Sequence, residues 1–389
     1  MDRSKMKGQT MLDTRRGGRD YSLLGPEAAL AVEKGLAGAS WYKAAVPRRT
    51  MKELMKRDDA HAVRDTVVWL GLLVVFGVGA ALTWGTWWCV PFFVGYGLLY
   101  GTASDSRWHE SGHGTAFRSR WLDQTVYQIA CFLIMRDPTV SRWSHTRHHT
   151  DTLIVGHDPE IVAMRPPRLI KILLNMLGLV DVPVALGHMV LHATGRLDGE
   201  EATYVPDMER GKVARTARVW LAIYAATVVA CVLTGSLLPA MLIGLPRMYG
   251  AFGGMIYGLT QHAGLGEDLL DHRLIARTVK MGRVNRFLYW NMNYHVEHHM
   301  FPMVPYHALP ALHEVMKDDC PPAYPSLWAA YREIIPTVIR QLRDPEHFVY
   351  RQLPTGAVPH PLRDQVPTHA KELPAHLQDT TPSMERLHP

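Results

Sequence analysis

The chain contains 389 residues with a mass of 43.9 kDa, and 47% of them are hydrophobic while 20% are charged. This composition excludes a disordered chain, a collagen-like fibre and a small disulfide-stabilised domain. The net charge of +6 suits a surface that faces anionic lipid headgroups. The basic residues accompany no nucleic-acid-binding motif, so we expect no nucleic-acid partner.

The N-terminal part of the chain is polar and basic. Residues 1–64 contain 14 Lys or Arg against 8 Asp or Glu. The first ten residues lack an apolar stretch, so we expect no cleavable signal peptide. We predict that residues 1–65 form a basic cytoplasmic extension.

The first apolar block, residues 66–104, carries no Asp, Glu, Lys or Arg. It is long enough to cross a bilayer twice, because one span needs about 20 residues. A turn that contains three tryptophans divides it, which predicts transmembrane helices at about 66–83 and 88–105. Tryptophans at such a turn are typical of a membrane surface.

A second apolar block predicts helices at about 219–234 and 237–262, separated by a Thr-Gly-Ser turn. Arg247 lies inside the last of these helices, where a charge is costly. Three interpretations stay open. Arg247 faces protein or a polar cavity, its side chain snorkels towards water, or the helix breaks at the preceding proline.

The segments between and after these blocks hold nearly all the charge, whereas the two short turns hold none. By the positive-inside rule, the long segments are expected on the cytoplasmic side. Weaker apolar stretches at 121–135 and 169–193 predict helices that cap the membrane helices. Residues 351–389 are rich in Pro and His, and we predict a disordered tail.

Together these patterns predict an all-α, multi-pass integral membrane protein. It has four transmembrane helices in two hairpins, and a helical cytoplasmic cap that completes a domain over residues 66–350.

Three groups of histidines fall in the segments predicted to be cytoplasmic. The first has a spacing of four, and the other two have the spacing i, i+3, i+4, so each group presents its rings from one part of a helix. Imidazole is a ligand for iron, zinc, copper and nickel. Eight histidines exceed the needs of one tetrahedral ion, so two metals fit the count. The three boxes comprise His109 and His113; His145, His148 and His149; and His295, His298 and His299.

Further residues near the boxes are candidates for the same centre. His262 ends the last apolar helix at the same membrane face and is predicted as a ninth ligand, with His157 as a weaker candidate. Metal-bound histidines usually donate their second N–H to a carboxylate or carbonyl. The candidate acids for that role are Asp105, Glu110, Asp151, Asp158, Glu160 and Glu297.

Two other functions share some of these residues. His109, Glu110 and His113 also match the HExxH pattern of zinc proteases, in which the glutamate is a general base. That mechanism has no role for two further boxes. A metal transporter is a further alternative. Transporters, however, place their polar ligands at mid-membrane, whereas these boxes lie outside the apolar blocks.

With these motifs established, the sequence resembles the membrane fatty acid desaturases, an integral di-iron family with the pattern HxxxH, HxxHH and HxxHH. The resemblance covers roughly residues 66–325 and includes the sequences HESGHGTAF, WSHTRHHT and NYHVEHHMFP around the boxes. The family often uses a ninth ligand near the end of the last membrane helix, here His262. The resemblance implies that the nine histidines bind two Fe²⁺ ions and that no other catalytic residue is needed.

The resemblance also implies a reaction. With O₂ and two electrons, such an enzyme introduces a double bond into an acyl chain. The alternative is a hydroxylase or monooxygenase of the same superfamily, acting on a fatty acyl, alkyl, sphingolipid or carotenoid substrate. No haem-binding HPGG motif, flavin module or ferredoxin module is present in the sequence. We therefore expect a separate electron donor of the ferredoxin, rubredoxin or cytochrome b5 type.

Overall fold

The computed structural model describes residues 19–358, and the predictions for the ends of the extension and tail lie outside this range. The described residues are helical, with three isolated β-bridges and no strand. The helices in or directly next to the two apolar blocks are α3 (Asp59–Leu82), α4 (Cys89–Gly97), α5 (Ser104–His113), α10 (Arg210–Thr234), α11 (Leu238–Leu242), α12 (Pro246–Tyr249) and α13 (Ala251–His262).

The remaining helices form the N-terminal segment and the cap. They are α1 (Pro26–Glu33), α2 (Arg48–Leu54), α6 (Arg120–Leu133), α7 (Pro138–Thr150), α8 (Leu169–Asn175), α9 (Asp181–Ala193), α14 (His272–Ile275), α15 (Arg283–Tyr289), α16 (His295–Met300), α17 (Leu309–Met316) and α18 (Leu327–Arg340).

Two helical stretches are long and apolar enough to cross a membrane, Arg48–Leu82 and Asp207–Thr234. Only about a fifth of each apolar window is buried within the protein, so most of its side chains face outwards, as lipid-facing helices require. Trp87 and Trp88, at the turn after α3, are 91% and 75% exposed. Their position suits the polar boundary of a bilayer.

The second predicted helix is longer than the apolar pattern indicated. α4 continues through a buried π-helical segment, Leu98–Ala103, directly into α5, which carries the first histidine box. π-helical turns inside longer helices are frequent at functional sites. Gly114, with φ of 67°, ends the helix after His113. One rigid element therefore joins the apolar region to the histidines.

The fourth predicted helix is divided into α11, α12 and α13. Proline at position 246 begins α12, where it costs no helical hydrogen bond. Arg247 follows it, and its Nε donates to the carbonyl oxygen of Ile134 at 3.1 Å. The structure thus combines two of the interpretations left open for Arg247, because the helix breaks and the arginine faces protein.

Close backbone contact joins α4 to the start of α13. A Cβ atom added to Gly250 would lie 2.0 Å from the carbonyl oxygen of Gly97, and one added to Gly101 would lie 2.6 Å from that of Gly250. Small residues at such crossings let membrane helices approach closely.

Gly250→Ala should therefore destabilise the protein, because the backbone of Gly97 cannot move away as a flexible side chain could. We expect a cost of about 1–3 kcal/mol, as overpacking usually brings, seen as a lower unfolding temperature in detergent. Gly254→Ala, on the helix that follows Gly250, is the control, since nothing lies within 4 Å of its added Cβ. Equal stability of the two variants would contradict the close approach.

Cap helices occur where the weaker apolar stretches predicted them. α6 covers the first stretch, and α8 and α9 cover the second, divided near Gly178 with φ of 60°. The N-terminal segment also packs onto the cap. Trp41 stacks on His272 with ring centroids 4.3 Å apart, and the backbone N–H of Tyr42 donates to Leu270. The described part of the predicted extension is thus part of the folded body.

Candidate metal centre

The nine histidines predicted as ligands come together in two groups. In each group every member offers one ring nitrogen, and these nitrogens all lie within 4.8 Å of one another. The first group comprises His109, His113, His145, His149 and His298, and the second comprises His148, His262, His295 and His299.

A chain of short contacts runs through the first group. The Nε2 atom of His145 lies 3.1 Å from that of His113 and 3.2 Å from that of His149, which lies 3.1 Å from Nε2 of His298. His109 completes the group, with its ring centroid 4.2 Å from that of His145 and 4.5 Å from that of His298.

The second group is built in the same way. The Nε2 atom of His295 lies 2.9 Å from Nε2 of His262 and 2.9 Å from Nε2 of His299. The His148 ring centroid is 4.9 Å from that of His299. The groups adjoin, since the rings of His149 and His299 stack at 4.4 Å.

Helix geometry explains how the boxes are shared. In the second and third boxes the residues at i and i+4 stay together, and the residue at i+3 joins the other group. With 3.6 residues per turn, positions i and i+4 differ by about 40° around the helix, whereas i+3 and i+4 differ by about 100°. His148 therefore points away from His149, and His298 points away from His299. Helices α7 and α16 thus each supply ligands to both groups.

Burial favours the neutral form of most of these imidazoles. Burial, and then repulsion from neighbouring histidines, holds the pKa of His298 and of His145 well below the usual value. Burial lowers the pKa of His113 to about 4. His148 differs, because the Asp158 carboxylate outweighs the effect of burial and raises its pKa. Neutral imidazole is the form that binds metals.

Hydrogen bonds at Nδ1 leave Nε2 free to face the centre. Nδ1 of His145 lies 2.9 Å from Glu160, and Nδ1 of His148 lies 2.8 Å from Asp158. Nδ1 of His262 donates to the carbonyl oxygen of Ile275 at 2.7 Å. With the ring proton at Nδ1, each Nε2 directs a lone pair into the group. Carboxylate or carbonyl partners of this kind are typical of metal-bound histidines.

Glu160→Gln should weaken metal binding without unfolding the protein, because the amide still fits but no longer holds the His145 proton as a carboxylate does. Such partners contribute about 10–100-fold to metal affinity. The measurement is iron retention against a graded concentration of a chelator. Glu314→Gln, an exposed acid paired with Lys317, serves as the control. Unchanged retention in Glu160→Gln would contradict an orienting role.

The other predicted acids lie elsewhere. Glu110 is fully buried and accepts hydrogen bonds from Thr115 Oγ1 at 2.8 Å and from the backbone N–H of Tyr306 at 3.0 Å. Burial raises its pKa to about 8. Asp151 accepts from the backbone of Gly38, and Glu297 contacts His313 at 2.5 Å. Glu110 is therefore committed to the core, which disfavours the role of a zinc-protease base.

His157 and Asp105 lie near the centre but outside both groups. Nε2 of His157 contacts the carbonyl oxygen of Ala28 at 3.0 Å, and its Nδ1 faces Arg147 and Asp151. Asp105 lies on α5 and lines the cavity described below.

The donor set fits two metal ions. Nine nitrogens divide into five and four, and the buried Nδ1 atoms of four members have no hydrogen-bond partner within residues 19–358. Among the described residues, the nitrogens of these rings contact no protein group other than further imidazoles. Burying such rings is costly unless another partner, such as a metal ion, binds them. A metal in each group would bind the facing nitrogens. The four rings are those of His109, His149, His295 and His298.

A cavity of about 550 Å³ adjoins both groups. Its walls combine apolar side chains such as Trp220 and Met255 with charged ones such as Arg136 and Arg247. Helix α13 supplies one wall, along which Gly254, Gly258 and His262 follow each other at intervals of four. A Cβ atom added to either glycine would meet nothing within 4 Å, so the cavity is open along this face.

Sequence reasoning missed a third cluster of metal-type ligands. His188, His192 and Glu201 also place one donor atom each within 4.8 Å of the others. The spacing of His188 and His192 repeats that of the first box and could have signalled the pair. Glu201 belongs to a separate short helix, which the sequence pattern did not indicate.

Comparison with known proteins agrees with this geometry. No curated protein matched the chain closely enough to count as a relative. A family model described as fatty acid desaturase matches residues 85–331, which contain all three boxes and His262. The family consists of oxidoreductases in a superfamily of desaturases and hydroxylases, with lipid substrates and a membrane setting. Because the match covers well over half of the chain, the protein belongs to the fatty acid desaturase family.

Proposed function

We propose that the protein is a di-iron fatty acid desaturase that uses O₂ and two electrons to introduce a double bond into an acyl chain. The observation that carries the proposal is the pair of histidine groups that adjoin a cavity large enough for part of a lipid chain. The nine histidines of the two groups are the proposed ligands. Bound iron would supply, with O₂ and electrons, an oxidant able to remove hydrogen from an unactivated C–H bond.

The protein's own residues prepare this site. Buried, neutral imidazoles hold the metals, and Asp158 and Glu160 fix the orientation of His148 and His145. Gly254 and Gly258 keep the wall beside His262 free of side chains, so that an extended chain can lie against it. Apolar lining residues exclude water from that chain, which protects the reactive centre from side reactions.

The proposed membrane arrangement has four spans. α3 and α10 satisfy length and hydropathy on their own. The continuous helix through α4 and α5, and the broken series α11 to α13, would complete two hairpins. Broken helices are tolerated in membranes where they line a cavity or protein, as this series does. The histidine boxes would then lie on the cytoplasmic side, within reach of a soluble electron donor.

Lipid profiling by mass spectrometry tests the function. Cells would express either the wild type or the His298→Ala variant, together with a ferredoxin and its reductase. A new double bond formed only by the wild type supports the proposal, and its position identifies the reacting carbon. A hydroxylated product that carries ¹⁸O from ¹⁸O₂ would instead assign the hydroxylase reaction. Wild-type protein that purifies without iron would refute both.

A further inference from the structure

A cluster of two histidines and two carboxylates lies apart from the two histidine groups. His188 and His192 are one turn apart on α9, and Glu201 begins the short 3₁₀ helix Glu201–Thr203. Asp198 belongs to the loop between them. His192 and Glu201 are buried, at 3% and 5% exposure, while His188 reaches the surface.

The donor atoms of this cluster converge on one point. Nδ1 of His188 lies 3.0 Å from one carboxylate oxygen of Glu201, and Nε2 of His192 lies 2.8 Å from the other. All three donors lie within 4.8 Å of one another, which is the same closeness that defines the two larger groups.

The cluster pairs two imidazoles with two carboxylates. Nε2 of His188 faces Asp198 at 3.4 Å while its Nδ1 faces Glu201, so a neutral ring has a single proton for two carboxylates. Backbone N–H groups of residues 200 and 201 hold Asp198 in place. With the ring proton on the Asp198 side, the Nδ1 lone pair points directly at a carboxylate oxygen. In that tautomer the Nδ1 lone pair is available to a metal ion that the Glu201 carboxylate also binds.

We propose that His188, His192 and Glu201 bind a third metal ion of the zinc class, with Asp198 orienting His188. Two imidazoles and one carboxylate form a known zinc ligand set, which leaves a fourth position for water or another oxygen ligand. A metal-bound histidine usually donates the N–H of its other ring nitrogen to a carboxylate or carbonyl oxygen, which is the role given to Asp198. The proposal is independent of the function assigned to the two larger groups.

The location gives the ion a structural consequence. The three ligands line the same cavity as the iron-binding groups, on the wall that α9 provides. A metal there ties α9 to the loop that carries Glu201.

Metal analysis of the full chain tests the proposal. The purified protein is loaded with Fe²⁺, incubated with Zn²⁺, desalted and measured for both metals. We expect about one tightly held zinc per chain in addition to iron, as a three-residue site would give. His192→Ala and Glu201→Gln should lose this zinc and keep their iron, and His157→Ala is the matched histidine control. His298→Ala should lose iron and keep the zinc.

The outcomes separate the two assignments. If the wild-type protein holds no zinc after desalting, the third site is overturned. A proton on His188 is then the positive charge that faces the two carboxylates. Zinc retained by both His192→Ala and Glu201→Gln overturns it as well. Glu201→Gln preserves side-chain volume, and its unfolding temperature shows whether a loss reflects the ligand or the fold. If His298→Ala retains its iron, that result contradicts the proposed function and leaves the zinc proposal standing.

Discussion

Replacing His298 by alanine should abolish oxidation of the substrate and remove iron from the protein. His298 is fully buried, and its Nε2 atom faces that of His149 at 3.1 Å within the first group. No nearby side chain can replace the lost donor, because the other members of the group already face the same point. Product formation should fall to background, and at least one iron per chain should be lost. Both are measured on protein purified from cells with excess iron.

The control for this prediction is His157→Gln. His157 lies close to the second box in sequence, but its Nε2 contacts the carbonyl oxygen of Ala28 rather than either group. The variant should keep its iron and most of its activity. Full iron occupancy in His298→Ala, or equal loss of iron in His157→Gln, would show that the two groups do not define the ligands.

A phenylalanine at position 258 should block the substrate while leaving the metals in place. Gly258 lies one turn before His262 on α13, and its face is open to the cavity. A bulky ring there would occupy the space directly beside the metal ligands. Displacing a substrate by as little as 1 Å costs about 100-fold in rate, and we expect at least that loss of turnover with wild-type iron content.

Gly71→Phe provides the comparison for this blocking effect. Gly71 lies on the outer face of α3, where an added Cβ also meets nothing within 4 Å, but it does not line the cavity. Its substitution should leave turnover unchanged. Normal turnover by Gly258→Phe, measured as product by mass spectrometry, would mean that the substrate enters along another path.

Several features of the protein could be predicted from the sequence because they depend on local spacing. The helical class, the cap helices and the end of the last helix at His262 follow from apolar patterns and turns. The histidine boxes were recognisable because each lies within one or two helical turns. Their family assignment is confirmed by the family match. The ligand roles of the nine histidines and the four-span count stay predictions.

Other features depend on contacts between distant segments and left no local signal. The sequence spacing placed His148 with His149, whereas the fold assigns them to different groups. Of the six candidate acids, only Asp158 and Glu160 hold box histidines among the described residues, because a loop after α7 returns them to the helix. The helix breaks before Pro246, and Arg247 there contacts Ile134, which is distant in sequence.

The stacking of Trp41 on His272 determines how far the chain can be shortened. His272 in turn lies beside His299, with ring centroids 5.2 Å apart, so the N-terminal segment forms the outer cover of the second histidine group. This cover lies outside the range that the family model matches. A truncated protein that begins at the first apolar helix would retain every proposed ligand. It would nevertheless expose His272, and with it the approach to the second histidine group, to water, chelators and proteases.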